Sequence, residues 1–500
     1  MVPPYPWMLV CAGLNLVLAQ YWTMKEYALV LDASEATVLL VVATFLASGS
    51  LGFLLSPRRL ERAAVRLLFP LFLAQLAFPW LLREAAAVMY RHELPHVTAA
   101  MLAIGFLVMA VPFTILLPHL IHRREAEAPG PSGEAVAWGY GLELAGAVLG
   151  IALILLVART HLQPVLILYF VSFSLILARA AGSRRLLAVA LSLSVGHGLV
   201  APSLERMTTE DFYRAREKDP GIRLLASARS LYNRIDVLEN GEGEKLLEMN
   251  GREYFNETDL QAFNHYLAGI PSALMPGSRV LIVGTGSLSS VSQAARFART
   301  VESVEIDEQV VALTRDLFRE FNRLDEVPTW TLHVDDAKHF LGSTETRYDL
   351  IILDLVPPIY VQDALLFSRE FYELVKSRLT PRGVLSIYTG THLGEVQLKK
   401  RRHAPEKTVD AVFSEYLVVN SRAADMAFIY ASPDLPFGRE DLLALLRAEG
   451  TADVDRVFEP AEVRPLLDGQ RITSHDDLGI VLDWAPSGYR RLVSLFGVWP

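Results

Sequence analysis

Arg279-Val-Leu-Ile-Val-Gly-Thr-Gly-Ser287 is an apolar run that ends in two glycines. Further on, Val304-Glu-Ile-Asp307 is a second short apolar run that ends in acids. Glycine lets a backbone turn sharply beside a ligand, and an acid at the end of the next strand accepts hydrogen bonds from ribose hydroxyls. The two stretches read together as the opening of a nucleoside-binding α/β unit. A lone Gly-x-Gly is a weak signal, so its weight comes from what surrounds it.

Downstream the pattern repeats. Strands are expected at 279–283, 301–305, 330–334, 349–353 and 383–388. Helices are expected at 288–298, 308–321 and 368–379, with a short one after Asp335-Asp336. Such alternation predicts a mostly parallel sheet covered by helices, with ligands bound outside the carboxyl ends of its strands. Gly284 and Gly286, Glu305 and Asp307, Asp335 and Asp336, and Asp354 all fall at such ends. One acid there is often only a helix cap; consecutive ends bearing glycine or acid predict a nucleoside pocket.

Upstream, Tyr232–Val237, Lys245–Met249 and Arg252–Phe255 alternate in polarity and are punctuated by Asn240-Gly241 and Asn250-Gly251. These are hairpin signals, and they predict a small antiparallel subdomain of strands followed by a helix at 258–273. Residues 204–228 are charged, contain Pro220-Gly221, and read as a connector.

The first part of the chain is of another kind. Apolar runs near 7–22, 36–56, 65–82, 97–118, 135–157, 163–180 and 186–202 are long enough to be membrane helices. The last is short, contains Gly196, His197 and Gly198, and has a re-entrant segment as its alternative. Arg58, Arg59, Arg62 and Arg66, then Arg123 and Arg124, then Arg184 and Arg185 fall in alternate loops, which the positive-inside rule assigns to the cytoplasm. A complete count of spans would carry everything after residue 203 outside, whereas a nucleoside cofactor calls for a cytoplasmic domain, and the cytoplasmic side is the expectation. Glu143 stands inside an apolar run, where an acid is costly without a partner or polar cavity. It is therefore a functional candidate, with pairing to Arg159 or a neighbouring helix as the alternative.

The chain has 500 residues and a formal net charge of −9, with no dense basic patch beyond Lys399-Lys-Arg-Arg402. That charge gives nucleic-acid binding no support. The single cysteine, Cys11, excludes an intrachain disulfide framework or a cysteine-based zinc site. His333, His339 and His475-Asp476-Asp477 lack a third ligand at metal spacing and read as surface groups, so no metal is expected.

Several stretches resemble the spermidine synthase (aminopropyltransferase) family. They are Ser230–Val237, Met249-Asn-Gly251, Glu257-Thr-Asp259, the glycine strand end, Val304–Asp307, Val334-Asp-Asp336, Asp349–Asp354 and Leu366-Phe-Ser-Arg-Glu-Phe-Tyr-Glu373. The resemblance spans about residues 225–432 in unbroken order. Tyr140–Gly150 is similar to a segment of multi-pass proteins that carry a spermidine synthase-like domain, in which Asn is usual at the position of Glu143.

The resemblance implies an α-helical transmembrane bundle followed by an α/β Rossmann-like domain of the S-adenosylmethionine-dependent methyltransferase type, with a small N-terminal β-subdomain. The expected division is 1–203 multi-pass, 204–228 connector, 229–273 β-subdomain and helix, 274–432 Rossmann-like domain and 433–500 C-terminal extension. It also implies decarboxylated S-adenosylmethionine as co-substrate and an amine or polyamine acceptor. Glu305 would hold the ribose and Asp336 the adenine amino group. Gly284 and Gly286 would admit the nucleoside, with Asn233, Ser287 and Asp335 beside it. Asp354 would deprotonate or orient the attacking amine. The lipid bilayer is the expected surrounding of the first part, and a homodimer is left open.

Departures cluster on the acceptor side. Ser287 and Pro357 stand where the family keeps acids, Phe263 where it has Tyr, and Asn233 where it has Gln. The expectation is a transferase with a diverged acceptor site. The alternatives are a methyltransferase using S-adenosylmethionine itself, and a non-catalytic membrane sensor or transporter module that binds a nucleoside or polyamine.

Overall fold

In a computed structural model, the residues described are 6–31, 35–54, 61–94, 101, 105, 108–127, 133–158, 161–327, 330–355, 358, 361–389, 392–393, 403–450 and 456–481. They form two compact units, one built from Met1–Gly243 with Glu248–Arg252 and the other from Glu244–Leu247 with Glu253–Ser487.

The first unit is helical: α1 Pro6–Leu31, α2 Glu35–Leu54, α3 Glu61–His92, α4 Leu116–Glu127, α5 Glu134–Leu153, α6 Leu162–Ala181 and α7 Arg184–Glu217. Twenty residues at 1.5 Å rise cover the ~30 Å hydrocarbon layer. Pro6–Leu31, Arg66–His92, Glu134–Ala158, Leu162–Ala181 and Arg184–Glu217 are long and apolar enough to cross it, and Thr37–Leu51 is shorter. Much of the expected span at 97–118 falls outside the described residues, as do Arg58, Arg59, Arg159 and the 399–402 run.

Glycines set the helix spacing between α1 and α5. A Cβ on Gly13 would lie 1.9 Å from the Glu143 carbonyl oxygen, and one on Gly146 would lie 1.9 Å from that of Val10. Nothing larger than glycine lets these backbones touch. The Glu143 side chain is half-buried and has no hydrogen-bond or ion-pair partner among the described residues.

The re-entrant alternative for 186–202 is not what the chain adopts. Helix α7 is continuous for 34 residues and takes Pro202 into its interior. An apolar helix of that length satisfies its own backbone groups. The helix also occupies the first half of the expected connector, and strand β1 (Arg223–Arg229) takes most of the rest.

Strand β1 pairs antiparallel with β2 (Arg234–Glu239), and β3 (Lys245–Met249) and β4 (Arg252–Asn256) complete a four-stranded sheet in chain order. In the β3–β4 turn Gly251 has φ +73°, and a Cβ there would meet the Leu29 carbonyl oxygen at 1.8 Å. Arg216 of α7 binds Glu248 and the Gly251 carbonyl.

The second unit holds β5 Arg279–Val283, β6 Thr300–Glu305, β7 Trp330–Val334, β8 Tyr348–Leu353, β9 Leu379–Tyr388, β10 Glu415–Ser421, β11 Met426–Ser432 and β12 Arg456–Phe458. Its helices are α8 Glu257–Asn264, α9 Ser289–Ala295, α10 Glu308–Leu317, α11 Ala337–Ser343, α12 Arg369–Arg378, α13 Ala404–Val412 and α14 Arg439–Ala448. The sheet order is β12-β10-β11-β9-β8-β5-β6-β7. Strands β7, β6, β5, β8 and β9 run parallel; beyond β9, each of β11, β10 and β12 is antiparallel to its neighbour, so β10 shares the direction of the parallel strands. This is a mixed α/β sheet of methyltransferase-like topology. Strand β5 is apolar and buried from Val280 to Val283, as a strand covered by helices on both faces must be. Strand β12 extends the sheet from beyond residue 432, so part of the expected C-terminal extension belongs to the sheet.

Candidate active site

The order of the parallel strands places the ends of β5, β6 and β8 side by side, because β6 and β8 flank β5. Chain reversal at β5 is made by Gly284, with φ +79°. A Cβ at this position would stand 2.3 Å from the Asp354 carbonyl oxygen at the end of β8. Glycine is required twice over, by its left-handed backbone and by the neighbouring strand. Gly286 is under a milder constraint, since its Cβ would meet Val310 Cγ1 at 3.2 Å and Tyr254 Cε1 at 3.6 Å.

Glu305 braces this turn. Its Oε2 accepts from the Thr285 amide at 3.0 Å and its Oε1 from the Asp307 amide at 3.0 Å. Burial raises its carboxyl above the usual range, while those amides hold it back. Among the described residues the acid therefore has a backbone-fixed orientation at the mouth of the glycine turn.

Asp354 lies next to the turn, half-buried. Burial first, and then the charge of Glu305, push its carboxyl up to about 7, with the Ser290 hydroxyl holding it back. Asp354 Oδ2 and Ser290 Oγ are both buried and neither makes a hydrogen bond of good geometry among the described residues, so Ser290 acts by proximity. Tyr254 of β4 closes this corner. Burial and the charges of Asp354, Glu305 and Asp363 push its hydroxyl well up. The set can hold a polar ligand with hydroxyls on Glu305 and can take up a proton on Asp354.

Asp335 and Asp336 end β7 and divide their tasks. Asp336 caps α11, accepting from the amides of Lys338 at 2.9 Å and His339 at 3.0 Å. Asp335 pairs with His339 Nδ1 at 2.7 Å, which lowers the acid and raises the imidazole. His333 is paired with Glu302 at 3.1 Å, and Asp477 with Arg471 at 2.6 Å.

Ser287 turns inward. It is 3% exposed, its hydroxyl accepts from the Ser289 amide at 3.2 Å, and Asn322 Nδ2 binds its carbonyl at 2.7 Å. The following Leu288 adopts φ +61°, a left-handed turn before α9 made by a residue other than glycine. Asn233 belongs to the first unit, where its Oδ1 accepts from Asn250 Nδ2 at 2.7 Å. The second unit thus brings together Gly284, Gly286, Glu305 and Asp354, with Asp335 and Asp336 at the end of β7. Pro357 lies outside the described residues.

Sequence reasoning passed over Tyr254 and Asp363. Strict alternation in Arg252–Asn256 sets Tyr254 opposite Phe255, which packs on Phe318 with ring centroids 5.2 Å apart, and that alternation was the available signal. Asp363 stands in a short helical turn, Val361–Ala364, and no spacing singled it out.

Comparison with known proteins points the same way. Residues 260–430 match the family model described as the spermine/spermidine synthase domain. A polyamine aminopropyltransferase of Alkaliphilus metalliredigens is 32% identical over 164 residues, 32% of this chain and 57% of that protein. One of Clostridium botulinum is 30% identical over 190 residues, 37% of this chain and 66% of that protein. The chain thus spans between about half and two thirds of the length of such curated relatives. A crystal structure of spermidine synthase in complex with the transition state analogue AdoDATO has a TM-score of 0.39 at 19% identity, over 55% of this chain and 89% of that one. The matched segment, residues 260–430, lies wholly in the second unit.

Proposed function

We propose that the chain is a membrane-anchored aminopropyltransferase-like enzyme, with its second unit on the cytoplasmic side. Its co-substrate would be decarboxylated S-adenosylmethionine and its acceptor an amine. The observation that carries the reading is Asp354: a strand-end carboxyl raised to about 7 beside a ribose-holding acid. An alkylammonium cannot attack a sulfonium carbon until it loses a proton, and a base is most effective when its pKa lies near the working pH. Asp354 takes that proton, the amine nitrogen bonds to the aminopropyl carbon, and the sulfur leaves with its electron pair as methylthioadenosine. Glu305 fixes the ribose, and Asp336, while capping α11, faces the adenine. The co-substrate supplies the sulfonium leaving group; the protein supplies orientation and the base.

The acceptor is a different matter. With Ser287 turned inward, the position where aminopropyltransferases resembling this chain keep an acid offers no charge. A monoamine, or a diamine gripped at one end only, fits this arrangement better than an acceptor held by several carboxylates. The same feature supports a second reading, methyl transfer from S-adenosylmethionine, because an absent acid leaves room for the carboxylate of that cofactor.

The test uses purified full-length protein with decarboxylated S-adenosylmethionine and a panel of amines. Methylthioadenosine should be released, and Asp354→Asn should lower the rate by roughly 10²–10⁴-fold while methylthioadenosine still binds. Failure to release methylthioadenosine with any amine of the panel sinks the transferase reading. Tighter calorimetric binding of S-adenosylmethionine than of its decarboxylated form favours the methyltransferase.

A further inference from the structure

The first unit contains a cavity of ≈ 300 Å³ that the transferase reading does not use. Its walls come from α1, α3, the start of α6, α7 and the end of β1. Trp22 and Trp80 supply aromatic faces, Leu162 and Leu166 apolar ones, and Glu26, Arg83, Glu205 and Arg229 a charged one. Its volume is at the lower end of the range of small-molecule sites, about 300–1,000 Å³.

The charged wall is a network whose signs cancel. Glu26 accepts from Arg83 at 2.6 Å and from Arg229 at 3.4 Å. Glu205 Oε1 accepts from Arg229 at 3.0 Å and from Arg234 at 2.7 Å, and Arg234 is paired with Asp236 at 2.9 Å. Three guanidinium groups thus face three carboxylates. Neither a net cation nor a net anion gains from the summed charge.

Saturation differs from atom to atom. Both oxygens of Glu26 are engaged, as are both of Asp236. Glu205 Oε2 makes no hydrogen bond among the described residues, and Arg229 donates only through Nη2, leaving Nε and Nη1. These two side chains are the open members of the network, 33% and 24% exposed, and both line the cavity. An acceptor for a cation and donors for an anion therefore stand side by side.

We infer that this cavity binds a small zwitterion of α-amino-acid size, its carboxylate on Arg229 and its ammonium on Glu205, with an apolar body against the tryptophan faces. An ammonium near Trp22 or Trp80 gains further from the ring quadrupole. The inference does not depend on the reaction proposed for the second unit.

Full-length protein in detergent or nanodiscs is titrated with glycine, L-leucine and L-phenylalanine, read by tryptophan fluorescence and thermal shift. Parallel titrations use N-acetyl-L-leucine, which keeps only the negative end, and L-leucinamide, which keeps only the positive one. At least one amino acid should give a saturable response that both end-blocked compounds lack at the same concentration. Glu205→Gln and Arg229→Gln should each weaken it about tenfold or more. Because either change loosens the network, Ala201→Phe serves as the second variant: it fills the cavity, leaves every charge in place, and should abolish the response in a protein that still melts cooperatively. No saturable response to any amino acid, an equal response to an end-blocked compound, or full binding by a folded Ala201→Phe protein each overturns the inference.

Discussion

At Asp354 the burial that raises the carboxyl to about 7 also sets a pH dependence of stability. An unfolded Asp ionises near ~3.9, so the folded form resists ionisation between that value and about 7. The stabilisation relative to an always-neutral group is fully present below ~4 and is lost as pH rises towards 7. Asp354→Asn should therefore melt like the parent protein near pH 4 and above it at pH 8, by an amount equivalent to at most ~4 kcal/mol. Calorimetric melts of the two proteins across that range check it; a constant gap would show that Asp354 is not raised. Gly284 gives a second expectation at the same scale. Gly284→Ala combines a left-handed backbone with a 2.3 Å approach to the Asp354 carbonyl and should cost more than ~2 kcal/mol. Gly286→Ala needs Val310 to give only a few tenths of an ångström and should cost less. Both glycines were legible in the sequence, because their requirement is local. Tyr254 was not, because its neighbours Asp354 and Glu305 come from strands far along the chain.

Helix α11 shows one residue acting on two levels. Asp336 caps it through Oδ1, so Asp336→Ala should lose about 0.5–2 kcal/mol in denaturant unfolding. Asp336→Asn keeps a capping oxygen and should leave stability nearly unchanged while weakening methylthioadenosine binding. If both variants lose stability equally, capping is not the role of that side chain. Elements with a strong period were readable from the chain alone: β5, β6, β7 and β8 end within a residue or so of their expected limits. Strand β1 was not, since Arg223-Leu-Leu-Ala-Ser-Ala-Arg229 has no period-two pattern and is defined by pairing with β2. Strand β12 is three residues long and is specified by β10, a long-range partner that local composition does not announce.

For the whole molecule, the ionic network of the first unit makes a sharp prediction. Arg234 is 3% exposed and bridges Asp236 and Glu205, so Arg234→Ala leaves the buried Asp236 without its cation and Glu205 with Arg229 and Arg83 only. Loss of one partner from a buried pair typically costs 3–5 kcal/mol, and thermal melts of the full chain in detergent should register a shift of that order. An unchanged melting temperature would mean that water already screens the cluster. This network could not be read from the sequence: Glu26, Arg83, Glu205 and Arg234 are far apart in the chain, and only the helix packing unites them.

The division of the chain also has a practical edge. The backbone enters the second unit at Glu244, returns to the first for Glu248–Arg252, and leaves again at Glu253. A protease cut or a gene truncation at one peptide bond therefore cannot separate the transferase-like part cleanly. Removing everything before residue 244 strands Glu248 and Gly251 without Arg216 and Leu29, the groups that hold that turn. Dissection needs two seams and a repaired turn, and a shuffled gene would have to inherit helices and α/β sheet together.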